Sequence, residues 1–143
     1  MTAPAVVNLQ RKLRIELAQF KEFVQCLVTD VAETSNRDFA VAFISDRRMK
    51  ELNKFFRGKD STTDVLSFTQ EPDEFDPDSN NLGDIVISVE QAAKQAEENG
   101  LTLENEIKQL ILHGVLHLCG YDHETDSGEM NTRELELREK IKI

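Results

Sequence analysis

Residues 113–123, which read HGVLHLCGYDH, contain all three histidines of the chain. His113 and His117 are four residues apart in an apolar stretch with helical periodicity, so both rings should lie on one face of a helix. Gly120 predicts where that helix ends, because a sharp reversal usually needs a positive φ, which glycine tolerates. The reversal can bring His123 back over the other two rings. We therefore expect a helix and a turn that gather three imidazoles.

The spacing H-x3-H-x2-G-x2-H predicts a metal site. Three neutral imidazoles from His113, His117 and His123 would leave a fourth coordination position open for water, as in catalytic rather than structural zinc sites. Bound zinc lowers the pKa of such a water toward neutrality and acts as a Lewis acid. One Zn²⁺ ion is the first expectation, although Ni²⁺, Co²⁺ or Cu²⁺ would suit the same nitrogens.

The same spacing occurs in the metzincin signature H-E-x-x-H-x-x-G-x-x-H. In this chain Gly114 stands where those proteases place the glutamate that acts as general base. The sequence therefore keeps the metal ligands and lacks the proton acceptor for peptide hydrolysis. A zincin-like metalloprotease remains one functional alternative.

Length and composition indicate one domain over residues 1–143. The chain is long enough to bury a core without added stabilisation from disulfides or metal ions. No apolar run approaches the ~20 residues that cross a bilayer, and the N-terminus lacks the pattern of a signal peptide. We therefore expect a protein without a membrane partner, in the cytoplasm or in an organelle whose import sequence has been removed. Cys26 and Cys119 are expected to be buried apolar residues rather than a disulfide.

Apolar periodicity predicts the element order β-α-β-α-β-β-α-α-α. Two strands that adjoin across the acidic stretch 71–81 suggest an antiparallel pair, and the helical crossovers suggest parallel pairs. The expected fold class is α+β, with a mixed, roughly four-stranded sheet and about five helices. The acidic stretch itself is expected to be a mobile surface loop. The strands are predicted at residues 5–10, 39–45, 65–68 and 82–89, and the helices at 14–33, 46–56, 90–98, 102–119 and 125–143.

The formal net charge of −10 argues against broad, charge-driven nucleic-acid binding. A polyanion would have to use a local basic cluster, and one such cluster lies within residues 47–59. The alternative is a solvated helix face followed by a loop. The cluster comprises Arg47, Arg48, Lys50, Lys54, Arg57 and Lys59.

Three motifs in order resemble the YbeY family of bacterial and organellar endoribonucleases. HGVLHLCGYDH resembles the family's H-G-x-L-H-L-x-G-Y-D-H signature, and NKFFRGKDSTTDVLSF and NLGDIVIS resemble two upstream motifs. The resemblance covers roughly residues 52–123. It implies a single-strand-specific, metal-dependent endoribonuclease that acts in ribosomal RNA maturation, notably at the 3′ end of the small-subunit RNA, and in ribosome quality control.

By position, the resemblance implies that His113, His117 and His123 are the zinc ligands and that Arg57 is functionally important. We count Arg57 and His117 as catalytic candidates. The chemistry agrees for Arg57, because a guanidinium can bind two phosphoryl oxygens of a phosphodiester transition state at once. The expected partners are single-stranded ribosomal RNA and a ribosomal or ribosome-assembly protein, which the acidic charge makes necessary for targeting. Arg47, Arg48, Lys54 and Lys59 are the RNA-contact candidates.

Asp64 and Asp84 fall at predicted strand edges, where an ionised carboxylate is unusual. Either could accept the free ring N–H of a zinc-bound histidine, although turn-forming hydrogen bonds would also explain them. Pairing with Asp60 or Asp64 is the alternative for Arg57. Met130 is expected to be a core residue of the last helix. A non-catalytic ribosome-associated module with a structural zinc is the third functional alternative.

Overall fold

The protein is described by a computed structural model that covers residues 6–70 and 80–143. Four strands form one mixed sheet in the order β1-β2-β4-β3, with β1–β2 and β2–β4 parallel and β3–β4 antiparallel. The predicted α+β class and the antiparallel pair are confirmed. Most of the stretch expected to be a mobile loop, residues 71–79, lies outside the described residues. The strands are β1 (Val6–Asn8), β2 (Asp38–Ile44), β3 (Val65–Thr69) and β4 (Asn81–Ser88).

Five helices surround the sheet, as expected from the sequence. None of the helices in the described ranges combines the length and the apolar character that crossing a membrane requires. A short 3-10 turn over Ala32–Thr34 follows the first helix. The helices are α1 (Leu17–Asp30), α2 (Asp46–Arg57), α3 (Val89–Asn99), α4 (Leu103–Leu118) and α5 (Glu129–Ile141).

Two helices begin later than predicted, and local side-chain hydrogen bonds explain both differences. Before α1, the side-chain oxygen of Gln10 accepts from the backbone N–H groups of Lys12 and Leu13, which holds that stretch in a turn. Before α5, the Asp126 carboxylate accepts from the N–H groups of Gly128 and Met130. Such local bonds compete with a helical backbone.

The hydrophobic core lies between one face of the sheet and helices α1 and α4. Alternate residues of β2 and β4 point to this face, as the two-residue period of a strand requires. Met130 is buried in the same core, which confirms the expectation for that residue. The largest fully buried side chains of this core are Phe20, Leu27, Phe39, Phe43, Ile85, Ile87, Ile107, Ile111, Leu112, Leu116 and Met130.

The two cysteines are free, which confirms that they form no disulfide. Cys119 is half-buried, and burial raises the pKa of its thiol to about 11. Cys26 is exposed, so the expectation that it is buried was wrong. The reason is its place on α1, where Phe23, Val24 and Leu27 take the face that meets the core.

Gly114 fixes how closely α4 approaches the sheet. A Cβ atom at this position would lie 2.9 Å from Cδ1 and 3.0 Å from Cγ1 of Ile85 on β4. The close approach accounts for a glycine inside a helix, where it costs about 1 kcal/mol relative to alanine. A glutamate at this position would meet the same strand, so the packing of α4 explains why the protease base is missing.

We expect Gly114→Ala to destabilise the fold by about 1 kcal/mol, because overpacking of roughly 1–3 kcal/mol exceeds the gain in helix propensity. Urea denaturation measures this change. In a chain that carries Ile85→Val, which removes the nearest methyl group, the penalty should be smaller. An alanine variant as stable as the wild type in both backgrounds would contradict the packing argument.

Candidate metal centre

Helix α4 places His113 and His117 at one edge of the core. Thr102 caps its N-terminus by accepting from the N–H of Asn105 at 3.1 Å. At the other end Gly120 adopts a φ of 105°. The N–H of Tyr121 donates to the carbonyl of Leu116 at 3.0 Å, a bond that reverses the chain after the helix. This turn brings His123 back toward α4.

The three histidine rings face one another. Their ring centroids lie 4.8 Å apart for His113 and His117, 5.4 Å for His113 and His123, and 5.1 Å for His117 and His123. One nitrogen from each ring lies within 4.8 Å of the others. Tetrahedral zinc with bonds of about 2.0–2.1 Å needs its nitrogens roughly 3.4 Å apart, so small side-chain rotations suffice. The donor set therefore fits one metal ion.

A buried carboxylate orients the ring of His113. Nδ1 of His113 is 2.6 Å from Oε1 of Glu134, and the Glu134 side chain is only 8% exposed. Arg138 donates to the other carboxylate oxygen. Burial acts to raise the pKa of Glu134, but the bonds from His113 and Arg138 outweigh it and hold the pKa below its usual value. Because Nδ1 is engaged, Nε2 of His113 is the nitrogen left for a metal.

A backbone carbonyl orients the ring of His117. Nδ1 of His117 is 3.1 Å from the carbonyl oxygen of Tyr121. Burial, followed by the neighbouring charges of His113 and His123, lowers the pKa of His117 despite this bond. The neutral ring that results is the form of histidine that binds metals.

An ion pair from distant parts of the chain anchors Tyr121. Its hydroxyl donates to Oε2 of Glu33 at 2.9 Å. Arg133 donates to both Glu33 oxygens, at 2.8 and 2.9 Å, and this pairing lowers the pKa of Glu33 to about 2. The turn whose carbonyl orients His117 is therefore fixed by Glu33, just after α1, and by Arg133 on α5.

A cleft of about 490 Å³ opens over the histidines. Arg57, the last residue of α2, lines the same cleft. In the parts of the chain described, Arg57 has no carboxylate within ion-pair distance, so it is not paired with Asp60 or Asp64. The structure thus brings to one cleft three imidazoles and a guanidinium that no described carboxylate pairs.

The bond to a histidine ring that was expected of Asp64 or Asp84 is made instead by Glu134 and by the carbonyl of Tyr121. Asp64 lines the cleft, but its carboxylate accepts from the N–H of Val65 at 2.8 Å, a local bond at the start of β3. Asp84 is exposed and lies on the sheet face opposite Ile85. Within residues 6–70 and 80–143 neither aspartate bonds a histidine ring, and the local bond of Asp64 matches the turn-forming alternative that the sequence left open.

The four cationic RNA-contact candidates lie outside the lining of this cleft. Arg47, Arg48 and Lys54 are exposed on α2, and Lys59 is exposed in the loop that follows. Arg47 is 4.0 Å from Glu51, one turn along the helix. Only Arg57 of the basic cluster reaches the histidine cleft, among the residues that the structure describes.

Comparison with known proteins assigns this fold and cleft to a family. The sequence model of the family described as Endoribonuclease YbeY matches residues 5–142. The chain belongs to the YbeY family. One relative, from Nautilia profundicola, is named Endoribonuclease YbeY and is 48% identical over 109 residues, 76% of each chain. Another of that name, from Acholeplasma laidlawii, is 37% identical over 139 residues, 96% of this chain and 97% of its own.

The YbeY fold of this chain also resembles a solved structure. The solution structure of TM1509 from Thermotoga maritima matches with a TM-score of 0.64 and 30% sequence identity. The match covers 95% of this chain and 88% of that one. The family match spans all four strands and all five helices, and it includes both Arg57 and the three histidines.

We expect Glu134→Gln to weaken Zn²⁺ binding by about 10–100-fold, because the amide cannot polarise the His113 ring as a carboxylate does. Competition with a chromogenic chelator measures the affinity. Glu139→Gln is the matched control, since Glu139 is exposed on the same helix. Unchanged affinity in a folded Glu134→Gln protein would show that this carboxylate does not tune the site.

Proposed function

We propose that this protein is a zinc-dependent endoribonuclease that cleaves single-stranded RNA during ribosomal RNA maturation. The observation that carries the proposal is one cleft lined both by three convergent histidines and by Arg57, which has no ion-pair partner among the described residues. The printed name of the relatives, Endoribonuclease YbeY, supports the reaction class.

The residues of the cleft have two roles, which are to hold a metal ion and to bind a phosphodiester. His113, His117 and His123 hold the ion, while Glu134 and the Tyr121 carbonyl fix two of the rings. Zinc bound there supplies a Lewis acid and a water of lowered pKa.

Arg57 binds the phosphoryl oxygens in the cleft that it shares with the histidines. Phosphodiester cleavage builds up negative charge on these oxygens, and a guanidinium already in place stabilises that charge without reorganising. The bidentate geometry of arginine suits two oxygens of one phosphate. Because no carboxylate among the described residues competes for it, Arg57 is available to the substrate.

The negative net charge of the chain favours an enzyme that a partner protein brings to its RNA substrate. A net charge of −10 weakens binding to naked RNA, since RNA affinity rests largely on cations that neutralise phosphates. We propose that a ribosomal or ribosome-assembly protein brings the enzyme to the 3′ end of the small-subunit RNA in the cytoplasm. The enzyme would also act in ribosome quality control. Arg47, Arg48, Lys54 and Lys59 would then provide additional RNA contacts beside the cleft.

The chemistry of the cleft counts against a zincin-like protease. Gly114 occupies the position of the protease base and is held against Ile85, where a longer side chain has no room. A non-catalytic zinc module would not need an arginine that shares the cleft with the histidines and has no described acidic partner.

We expect Arg57→Ala to lower kcat/KM for a single-stranded RNA about 100–1,000-fold, the usual loss for one group that stabilises transition-state charge. Chelation should abolish cleavage, and added Zn²⁺ should restore it. Lys94→Ala, on the exposed side of α3, is the charge-matched control. Cleavage that survives both metal removal and Arg57→Ala would rule out the proposed function and indicate a contaminating nuclease.

A further inference from the structure

A second cleft of about 490 Å³ adjoins the metal cleft, between helices α3 and α4. The two clefts share three wall residues, Asp64, Val65 and His113. A polymer held at the metal centre can therefore extend into the second cleft without leaving the surface. The position is that of a neighbouring nucleotide rather than of the reacting phosphate.

The polar groups of this second cleft have unmet hydrogen-bonding capacity. Gln95 on α3 and Gln109 on α4 are half-buried, and their amides have no hydrogen bond within the described ranges. Glu106 is only 4% exposed. One of its oxygens accepts from Asn99 at 3.4 Å, whereas Oε2 has no partner among the residues described. A buried acceptor left unpaired costs about 1–3 kcal/mol, so Glu106 favours a ligand that brings a donor.

The charges of the second cleft disfavour a phosphate there. Arg138 is the one cation among its described wall residues; its Nη2 donates to Glu134, and its buried Nε has no partner among the described residues. The carboxylates of Glu106 and Asp64 would repel an anion. Amides and a carboxylate above apolar side chains instead match a nucleobase, whose edge carries donors and acceptors and whose faces are apolar.

We propose that the second cleft is a nucleobase subsite that selects guanine at a nucleotide flanking the cleaved bond. The inference rests on the proposed function, since it assumes an RNA strand in the metal cleft. Among the four bases, guanine presents two N–H donors side by side, at N1 and at the 2-amino group. Oε2 of Glu106 and the remaining lone pair of Oε1 can accept this pair, and Gln109 can contact the rest of the edge.

The test uses full-length zinc-loaded protein and eight-nucleotide RNAs of adenosine that carry one guanosine or one inosine at each position in turn. Inosine lacks only the 2-amino donor. Single-turnover cleavage gives the rate, and fluorescence anisotropy with 2′-O-methyl versions, checked to be intact on a gel after the measurement, gives the affinity. At one position guanosine should bind about tenfold more tightly than inosine, the discrimination expected of one good polar contact to a base edge.

Glu106→Gln should reduce the preference for guanosine to within about twofold, because the amide replaces one acceptor oxygen with a donor. Glu104→Gln is the matched control, exposed in the first turn of the same helix, and should keep the preference. If Glu106→Gln does not fold, Gln109→Ala takes its place and should weaken guanosine binding about threefold or more.

Equal binding of guanosine, inosine and adenosine at every position would overturn the subsite, as would a guanosine preference that survives the substitution in folded protein. Failure of the proposed function gives a different result. In that case no RNA is cleaved, while guanosine-dependent binding that is lost in the Glu106 variant still supports the subsite.

Discussion

The contact of Gly114 on α4 with Ile85 on β4 sets the geometry of the whole site. Without a side chain at Gly114 the helix lies close against the sheet, and Leu112 and Val115 on either side are buried in the core. His113 lies between Leu112 and Gly114, and His117 follows one turn later. The rigid scaffold therefore brings two candidate metal ligands together, and the turn at Gly120 supplies the third.

Two sets of polar contacts then connect α4 and the turn after it to the rest of the chain. Helix α5 contributes Glu134, which holds His113, and Arg133, which holds Glu33 and through it Tyr121. Residues far apart in sequence thus hold the ring of His113 and the turn whose carbonyl orients the ring of His117. In the same cleft Arg57 has no acidic partner among the described residues, although carboxylates outnumber cations overall. One arginine without an ion-pair partner among the described residues, in an acidic protein, is consistent with a specific phosphate contact rather than general affinity for RNA.

The sequence predicted those parts of the site that depend on local geometry. The spacing of His113, His117 and Gly120 specifies one helix face and one reversal, and the structure brings the three histidines together as that spacing requires. The groups that orient the rings were not predictable, because Glu134 lies 21 residues from His113 and is buried only through the packing of α5. The sequence made Asp64 and Asp84 candidates for bonding a histidine ring, because both carboxylates lie near strands. Strand alternation turns Asp84 away from the core face.

Zinc K-edge X-ray absorption on the zinc-loaded chain tests the central claim most directly, since it reports which atoms surround the ion. The account predicts three imidazole nitrogens and one further light atom at about 2.0–2.1 Å, with no sulfur. A sulfur ligand near 2.3 Å, or fewer than three imidazoles, would contradict it.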